Sequence, residues 1–477
     1  MSRNKKIDLT LHDVVIENVA AEGKSLAHVH LPEDDPDGPG RILFVEFAVP
    51  GDVVDVRIIK KKSSYLEGRI CRLVKPSEAR QEPFCKHFGI CGGCRWQPLP
   101  YEMQLAAKQQ QVYDQLTRIG HLELPEISPI IGSENTVFYR NKLEFSASNR
   151  RWILPGEDPE SLSDSEKCGL GFHVGKFFDK VLDIDRCWLQ PEPSNAIRLF
   201  IKQYALRNSL SFYDIRNNHG LLRNMFIRTA EGGQVMLIIC FGEDSPAIRP
   251  MLEAIRDEFP GITSLYYVVN TKLNDSISDQ ECVLFHGNEA IYEHMEGLSF
   301  KIGPKSFYQT NAPQALQLYR KAREFASLTG KETVYDLYTG TGTIAQFVSA
   351  QASQVIGIEY VPEAIEDARI NAEANGISNC SFFAGDMKDI LTDQFIARHG
   401  RPDVMIVDPP RAGMHPDVVA TILRAAPGRI VYVSCNPASQ ARDIALMSEK
   451  YRITAVQPVD MFPHTQHVEN ICRLELC

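Results

Sequence analysis

Over residues 7–75 apolar and polar positions alternate with a period of two in short runs. These are Asp8-Leu-Thr-Leu, Val14-Val-Ile, Ser25-Leu-Ala-His-Val-His, Arg41-Ile-Leu-Phe-Val, Val53-Val-Asp-Val-Arg-Ile-Ile and Tyr65-Leu-Glu-Gly-Arg-Ile. Pro50-Gly51 and an acidic, Pro/Gly-rich loop from Pro32 to Gly40 separate them as turns. About five closely spaced strands predict a small closed barrel of the OB type. A Gln/Lys-rich stretch from about Tyr101 to Ile119 predicts a helix leading towards the last domain. Residues 126–300 read as a mixed α+β domain, with strands at Val235-Met-Leu-Ile-Ile-Cys-Phe and Ser264-Leu-Tyr-Tyr-Val-Val. The polar insertion from Pro155 to Lys167 predicts a surface loop. From about Thr310 the pattern becomes strand and helix in alternation. Val334-Tyr-Asp-Leu-Tyr, Val355-Ile-Gly-Ile-Glu, Ser381-Phe-Phe, Val404-Met-Ile-Val-Asp and Ile430-Val-Tyr-Val-Ser are its strands. That pattern predicts a doubly wound, Rossmann-like α/β sheet with a ligand site at the carboxyl ends of its strands.

A length of 477 residues fits three domains, at roughly 100–200 residues each. The expected divisions are a barrel over 1–78, a central domain over 79–300 and an α/β domain over 301–477. Hydrophobic content of 44% with 23% charged residues allows a real core. No run approaches the ~20 apolar residues of a membrane span. The basic start, Met-Ser-Arg-Asn-Lys-Lys, is not followed by the apolar run of a signal peptide, so a cytoplasmic chain is expected. Twelve cysteines in such a chain point to metal or catalytic use for some of them.

A net charge of -10 argues against nucleic acid as a partner of the whole surface. Locally the balance reverses: between Arg57 and Arg80 stand eight basic residues against two acidic ones. Lys60, Lys61 and Lys62 are candidate phosphate contacts there. The bland alternative is a solvated strand face. Ala48-Val-Pro-Gly-Asp-Val-Val and the Lys60-Lys-Lys…Tyr65 run resemble a TRAM domain, an RNA-binding module.

The first strand of the α/β domain runs into Tyr338-Thr-Gly-Thr-Gly-Thr343 and then a helix. Gly340 and Gly342 permit a tight turn close to a ligand. Position 345 is Ala, so this is no dinucleotide fingerprint. The next strand ends in Glu359, seventeen residues after Gly342, where a carboxylate can accept ribose hydroxyls. Asp386 follows the third strand, suited to an adenine edge, and Asp408 ends the fourth. Three acids at successive strand ends suit the cationic sulfonium of S-adenosylmethionine better than an anionic pyrophosphate. Tyr338 and Thr343 frame the same turn.

The densest signal is Asp408-Pro-Pro-Arg-Ala-Gly413 followed, after a helix, by Ile430-Val-Tyr-Val-Ser-Cys-Asn-Pro437. A lone cysteine after a strand is usually a buried small hydrophobe. Cys435 instead stands at a strand's carboxyl end, in the cleft of the acids. These residues resemble the RNA (uracil-5-)-methyltransferase family, and the resemblance assigns roles. Cys435 of Ser-Cys-Asn-Pro is the implied nucleophile. Glu469 of Met461-Phe-Pro-His-Thr-Gln-His-Val-Glu is the implied base. Gln309 of Phe307-Tyr-Gln-Thr-Asn311 is the implied cofactor contact. The chemistry needs such a pair. A thiolate added to carbon 6 of uracil makes carbon 5 nucleophilic enough to take a methyl group. A base must then remove the hydrogen on carbon 5. Ser439 stands where the family usually has Thr. His464 and His467 read as structural or substrate-orienting. Tyr139-Arg-Asn-Lys142 resembles a central-domain motif of the family, making Arg140 and Lys142 candidate RNA contacts, with Arg411 a third.

Cys85-Lys-His-Phe-Gly-Ile-Cys91-Gly-Gly-Cys94 offers three thiolates, one short of a four-ligand zinc or iron–sulfur site. His87 is a possible ligand but reads as a bystander. Family resemblance implies Cys187 of Asp185-Arg-Cys187 as the fourth ligand and a [4Fe–4S] cluster as the occupant, whereas spacing alone leaves zinc open. Cys71, Cys168, Cys240, Cys282, Cys380, Cys472 and Cys477 read as packing residues or free thiols. The implied substrate is 23S ribosomal RNA, with transfer RNA as the alternative; no membrane or protein partner is expected. A non-catalytic RNA-binding or assembly factor is the contrasting reading, which intact Cys435 and Glu469 disfavour.

Overall fold

The computed structural model describes residues 7–35, 38–175 and 177–477. The basic start of the chain and two positions of the acidic Pro32–Gly40 loop lie outside the described residues. The N-terminal part is a six-stranded sheet wrapped round its own core. Its strand Val53–Lys61 points Val54, Val56 and Ile58 inward and leaves Arg57 and Ile59 outside, as the period of two requires. The neighbouring strand Tyr65–Lys75 crosses it at Gly68, where an added Cβ would lie 2.1 Å from Val56. The first two expected strands are one, Thr10–Val15, whose register slips between Leu11 and Val14. Asp13 forms this bulge with φ of 53° and donates its N–H to Asp55 Oδ1 at 3.1 Å.

Central residues build a seven-stranded sheet, with helices Ser194–Arg207 and Ile248–Glu258 on one face. Strand Gln234–Phe241 is buried on both faces and so reads as an unbroken apolar run rather than an alternation. Leu237 and Ile239 join the helices' side; Met236, Ile238 and Cys240 join a second cluster. That second cluster continues through helix Ala312–Ala326 to Val334, Val404 and Val431, so the central and C-terminal parts share one core across residue 300.

The helix expected near Tyr101 is α1, Tyr101–Arg118. Its Val112 and Leu116 pack with Ala441, Ile444 and Met447, which docks it on the C-terminal domain. That domain holds β1 (Thr333–Leu337), β2 (Gln354–Glu359), β3 (Cys380–Ala384), β4 (Val404–Val407), β5 (Arg429–Ser434), β6 (Tyr451–Val459) and β7 (Glu469–Leu476). Their order is β3-β2-β1-β4-β5-β7-β6, with β7 antiparallel to both neighbours and β1 to β5 parallel. The order reverses at β1, which opens a crevice beyond the carboxyl ends of β1 and β4. Among the described residues no helix is long and apolar enough to cross a membrane.

Candidate active site and cysteine centre

Beyond β1 the chain turns through Tyr338, at φ of 64°, and Gly340 and Gly342, at 56° and 74°. An added Cβ on Gly342 would lie 2.9 Å from Ala368 and Phe382, whereas one on Gly340 would meet nothing within 4 Å. Gly342 is therefore demanded by packing, and Gly340 opens onto free space where a ligand can approach. Glu359 closes that space: its carboxylate accepts the N–H of Gly340 at 3.2 Å and of Val361 at 3.0 Å. Thr343 is buried, its hydroxyl 3.3 Å from that of Thr341. Asp386 accepts the N–H of Lys388 and is half-exposed at the rim. Gln309 lies one residue before Thr310 on the segment leading to the helix Ala312–Ala326; its carbonyl accepts Asn141 Nδ2 at 2.9 Å. Open space beside Gly340 with acids at successive strand ends fits a nucleoside carrying a positive charge.

Cys435 follows β5 directly, and Glu469 is the first residue of β7, the strand hydrogen-bonded to β5. The strand pairing therefore brings residues 34 positions apart to one end of the sheet. Burial pushes the Cys435 thiol up to about 11, and the nearby charges of Glu469 and Asp408 push the same way. Arg411 opposes them, as a charge and as a hydrogen-bonding partner of the thiol. Burial, and then the charge of Asp408, raises Glu469 to about 8, with Arg411 again in opposition. Asp408, half-buried directly after β4, is raised by the burial of its carboxyl to about 7. A thiol, a proton acceptor poised near neutrality and an exposed cation thus share a site.

The exposed Arg411 is held through its backbone: its carbonyl accepts Asn436 Nδ2 at 2.9 Å and Ser439 Oγ at 3.1 Å. Ser439, the departure from the family pattern, thus still places a hydroxyl on the Arg411 carbonyl. Burial holds His464 and His467 at about 4, so both are neutral at physiological pH and neither is a cationic acid.

Cys85, Cys91, Cys94 and Cys187 line one cavity of about 570 Å³ together with Arg140, Lys142 and Thr310. Burial raises Cys91 to about 11 and Cys94 to about 12, and the other cysteines of the set add to both shifts. Among the described residues, however, no three Cys, His, Asp or Glu side chains converge tightly enough to grip a metal ion. The expected centre is thus a shared cavity rather than a preformed coordination sphere. His87 is occupied otherwise, accepting the N–H of Asp185 at 3.1 Å. Arg140 lies over Phe462 at 5.2 Å, and Lys142 over Phe226 at 5.7 Å. In the barrel, Lys60 is paired with Glu67 and Lys61 with Glu33, each at 2.5 Å, while Lys62 has no such partner among the described residues.

Sequence reasoning missed Asp336, a fully buried acid inside β1. Its Oδ2 accepts the Thr339 hydroxyl, and burial raises it to about 7, against the hydrogen bonds from Thr339 and the Ala345 backbone. An acid in an otherwise apolar strand was the available signal. Tyr360 and Val361, exposed directly after Glu359, were missed too; large apolar side chains at the end of β2 offer a surface on which a flat ring can lie.

Residues 288–476 match the model of a family described as tRNA (Uracil-5-)-methyltransferase, and residues 12–71 match the TRAM domain. The chain is 57% identical over 467 residues to an uncharacterized RNA methyltransferase of Porphyromonas gingivalis, covering 96% of this chain and 98% of that one. A Bacteroides thetaiotaomicron protein of the same description is 56% identical over 462 residues, covering 96% and 100%. Among solved structures, the Pyrococcus abyssi tRNA (uracil-54, C5)-methyltransferase in complex with S-adenosyl-L-homocysteine is similar. Its TM-score is 0.72 at 28% identity, over 97% of this chain and 100% of that one.

Proposed function

Because this chain belongs to the tRNA (uracil-5-)-methyltransferase family of S-adenosylmethionine-dependent RNA methyltransferases, we propose that it methylates one uridine of 23S ribosomal RNA through a covalent adduct on Cys435. The observation that carries this reading is the meeting of Cys435, Glu469, Asp408 and Arg411 at the ends of β4, β5 and β7. Glu359, Asp386, Gln309 and the turn from Tyr338 to Thr343 would hold S-adenosylmethionine. When bound, that cofactor supplies an electrophilic methyl group.

The target base must leave its stack to reach the crevice. Arg411 favours the thiolate of Cys435, which adds to carbon 6 and shifts the π electrons towards oxygen 4. Carbon 5, now nucleophilic, would take the methyl group, the donor's sulfur keeping the bonding electron pair and leaving as a neutral thioether. Glu469 as carboxylate removes the hydrogen from carbon 5, and loss of the thiolate restores the double bond. A base raised to about 8 suits this task, since proton transfer is most efficient when the base's affinity for protons lies near the working pH. Arg140, Lys142, Arg411 and the barrel lysines would meet RNA phosphates.

Cys85, Cys91, Cys94 and Cys187 would hold a [4Fe–4S] cluster. A zinc ion bound at ~2.3 Å draws four sulfurs closely round one point. The four thiols share the lining of one cavity of about 570 Å³, which leaves room for a group larger than a single ion. Bound there, the cluster would tie the 85–94 segment to the central sheet.

Similarity to the Pyrococcus abyssi enzyme supports transfer RNA as a second substrate reading. Mapping 5-methyluridine in both RNAs from cells lacking this protein separates the two. For the mechanism, RNA carrying 5-fluorouridine should trap the wild-type enzyme as a slow band on a denaturing gel, and Cys435→Ala should give none. Absence of trapping in active wild-type enzyme refutes the covalent route.

A further inference from the structure

Glu469 begins β7, and the nine residues before it, 460–468, connect β6 to β7. The hold on this connection comes largely from outside its own domain. Lys108, on α1, places Nζ 2.6 Å from Asp460 Oδ1 and donates to the Phe462 carbonyl at 3.1 Å. Tyr101 donates its hydroxyl to Asp460 Oδ2 at 2.8 Å. Gln104, between them on the helix, accepts the N–H of His464 at 2.8 Å and donates to the carbonyls of Trp96 and Leu99. The N–H groups of Arg95 and Trp96, immediately after Cys94, both donate to the His464 carbonyl, at 2.8 and 3.1 Å. His464 itself holds φ of 64°, a strained backbone state that these bonds maintain.

Lys108 and Asp460 are both 0% exposed. A pair this deep is poor value for stability, because desolvating two charges generally costs as much as their attraction returns. Apolar residues of the same size would serve as well if packing were its only purpose. What the pair supplies is direction: one ammonium grips a carboxylate and a carbonyl of the same turn. It points that turn, and with it the start of β7, at one place.

We propose that Lys108, Gln104 and Asp460 are positioning residues for the reaction, setting the Glu469 carboxyl against the base bonded to Cys435. The proposal rests on the covalent reading above. It specifies which step suffers when the hold is lost. Cys435 hangs from β5 and does not depend on the connection, so addition and methyl transfer survive. Removal of the carbon 5 hydrogen, which needs Glu469 in place, slows.

The test uses full-length Lys108→Met/Asp460→Asn, which removes both buried charges together, and Gln104→Leu, which loosens the turn without touching them. Each is assayed for S-adenosylmethionine affinity, trapping by 5-fluorouridine RNA, steady-state rate, and covalent complex on ordinary RNA. Displacement of a reacting group by ~1 Å costs up to about a hundredfold in rate. The expected result is a kcat lowered by about that factor with KM lowered in proportion, so that kcat/KM holds, with normal cofactor affinity and normal fluorouridine trapping. A covalent complex that depends on S-adenosylmethionine should build up on ordinary RNA. A loss of rate without that complex, or an unchanged rate, overturns the proposal. If the double variant does not fold, Gln104→Leu decides in the same way. Failure of wild-type enzyme to be trapped would instead remove the covalent reading and leave the two failures distinguishable.

Discussion

Replacing Glu469 by Gln should make the ligand-free protein more stable, and increasingly so as the pH rises. Glu469 is raised from 4.5 to about 8, chiefly by burial. A carboxyl whose folded-state value lies above its unfolded one binds its proton more tightly when folded. Its contribution is fully present below pH 4.5 and is lost as the pH climbs towards 8. Each pH unit in that window costs about 1.4 kcal/mol. The wild type is therefore handicapped, against a side chain that never ionises, by about 2 kcal/mol at pH 6 and about 4 kcal/mol at pH 8. With roughly 2–4 °C of melting temperature per kcal/mol for a domain of this size, the gap between variant and wild type should widen by about 4–8 °C over those two pH units. Thermal melts of both proteins without ligand, followed by circular dichroism at pH 6, 7 and 8, measure it. A gap that stays constant or narrows with pH refutes the claim that burial of an ionisable base is what Gln relieves.

Protein purified without air should contain iron and acid-labile sulfide and be brown; one zinc and no iron would end the cluster assignment. Cys187→Ser should lose that metal while S-adenosylmethionine binding persists, since Cys187 lies outside the cofactor domain. In the barrel, neutralising Lys62 should lower the salt dependence of RNA binding by about one unit of slope if it meets a phosphate. Neutralising Lys60 or Lys61 should do less, because Glu67 and Glu33 already pair with them. Nitrocellulose binding at several salt concentrations reads this, and an equal loss for all three contradicts it. Calorimetry in two buffers of different ionisation heat should show protons released when S-adenosylmethionine binds near pH 7.5, as its positive sulfur favours the ionised forms of Asp408 and Glu469. S-adenosylhomocysteine, whose sulfur is neutral, should release fewer; equal release by both would contradict the argument.

Much of the catalytic end was legible because its signals are local. An acid at the end of an apolar run, a glycine turn before a helix and a cysteine after a strand are each visible within ten residues. The alternation from Thr310 onward likewise matches the parallel strands β1 to β5. The hairpin of β6 and β7 was not read as strands, since Arg452, Thr454, Gln457, Arg473 and Glu475 interrupt its apolar pattern. Asp13 joined two apparent strands through a bulge that has no period. Lys108 and Asp460 are 352 positions apart, and nothing in a solvated-looking Gln/Lys helix reveals that one lysine is wholly buried. Such contacts belong to docking between elements, which local pattern does not encode.

The site's resting state follows from the same electrostatics. With no ligand bound, burial keeps the Cys435 thiol protonated and His464 and His467 neutral near pH 7, holds Glu469 mostly protonated and leaves Asp408 about half ionised. The thiolate is the reactive form of cysteine, towards oxidants as well as towards uracil. A protonated Cys435 is thus inert between turnovers, despite standing at an open strand end. Arg411 alone is too exposed to overcome burial and two neighbouring acids. Activation must come from what the reaction itself brings. A cationic methyl donor offsets the acids, and a bound base brings a carbon for the sulfur to attack. On this argument the acids that seem to oppose the nucleophile restrict its reactivity to the complex in which it is needed.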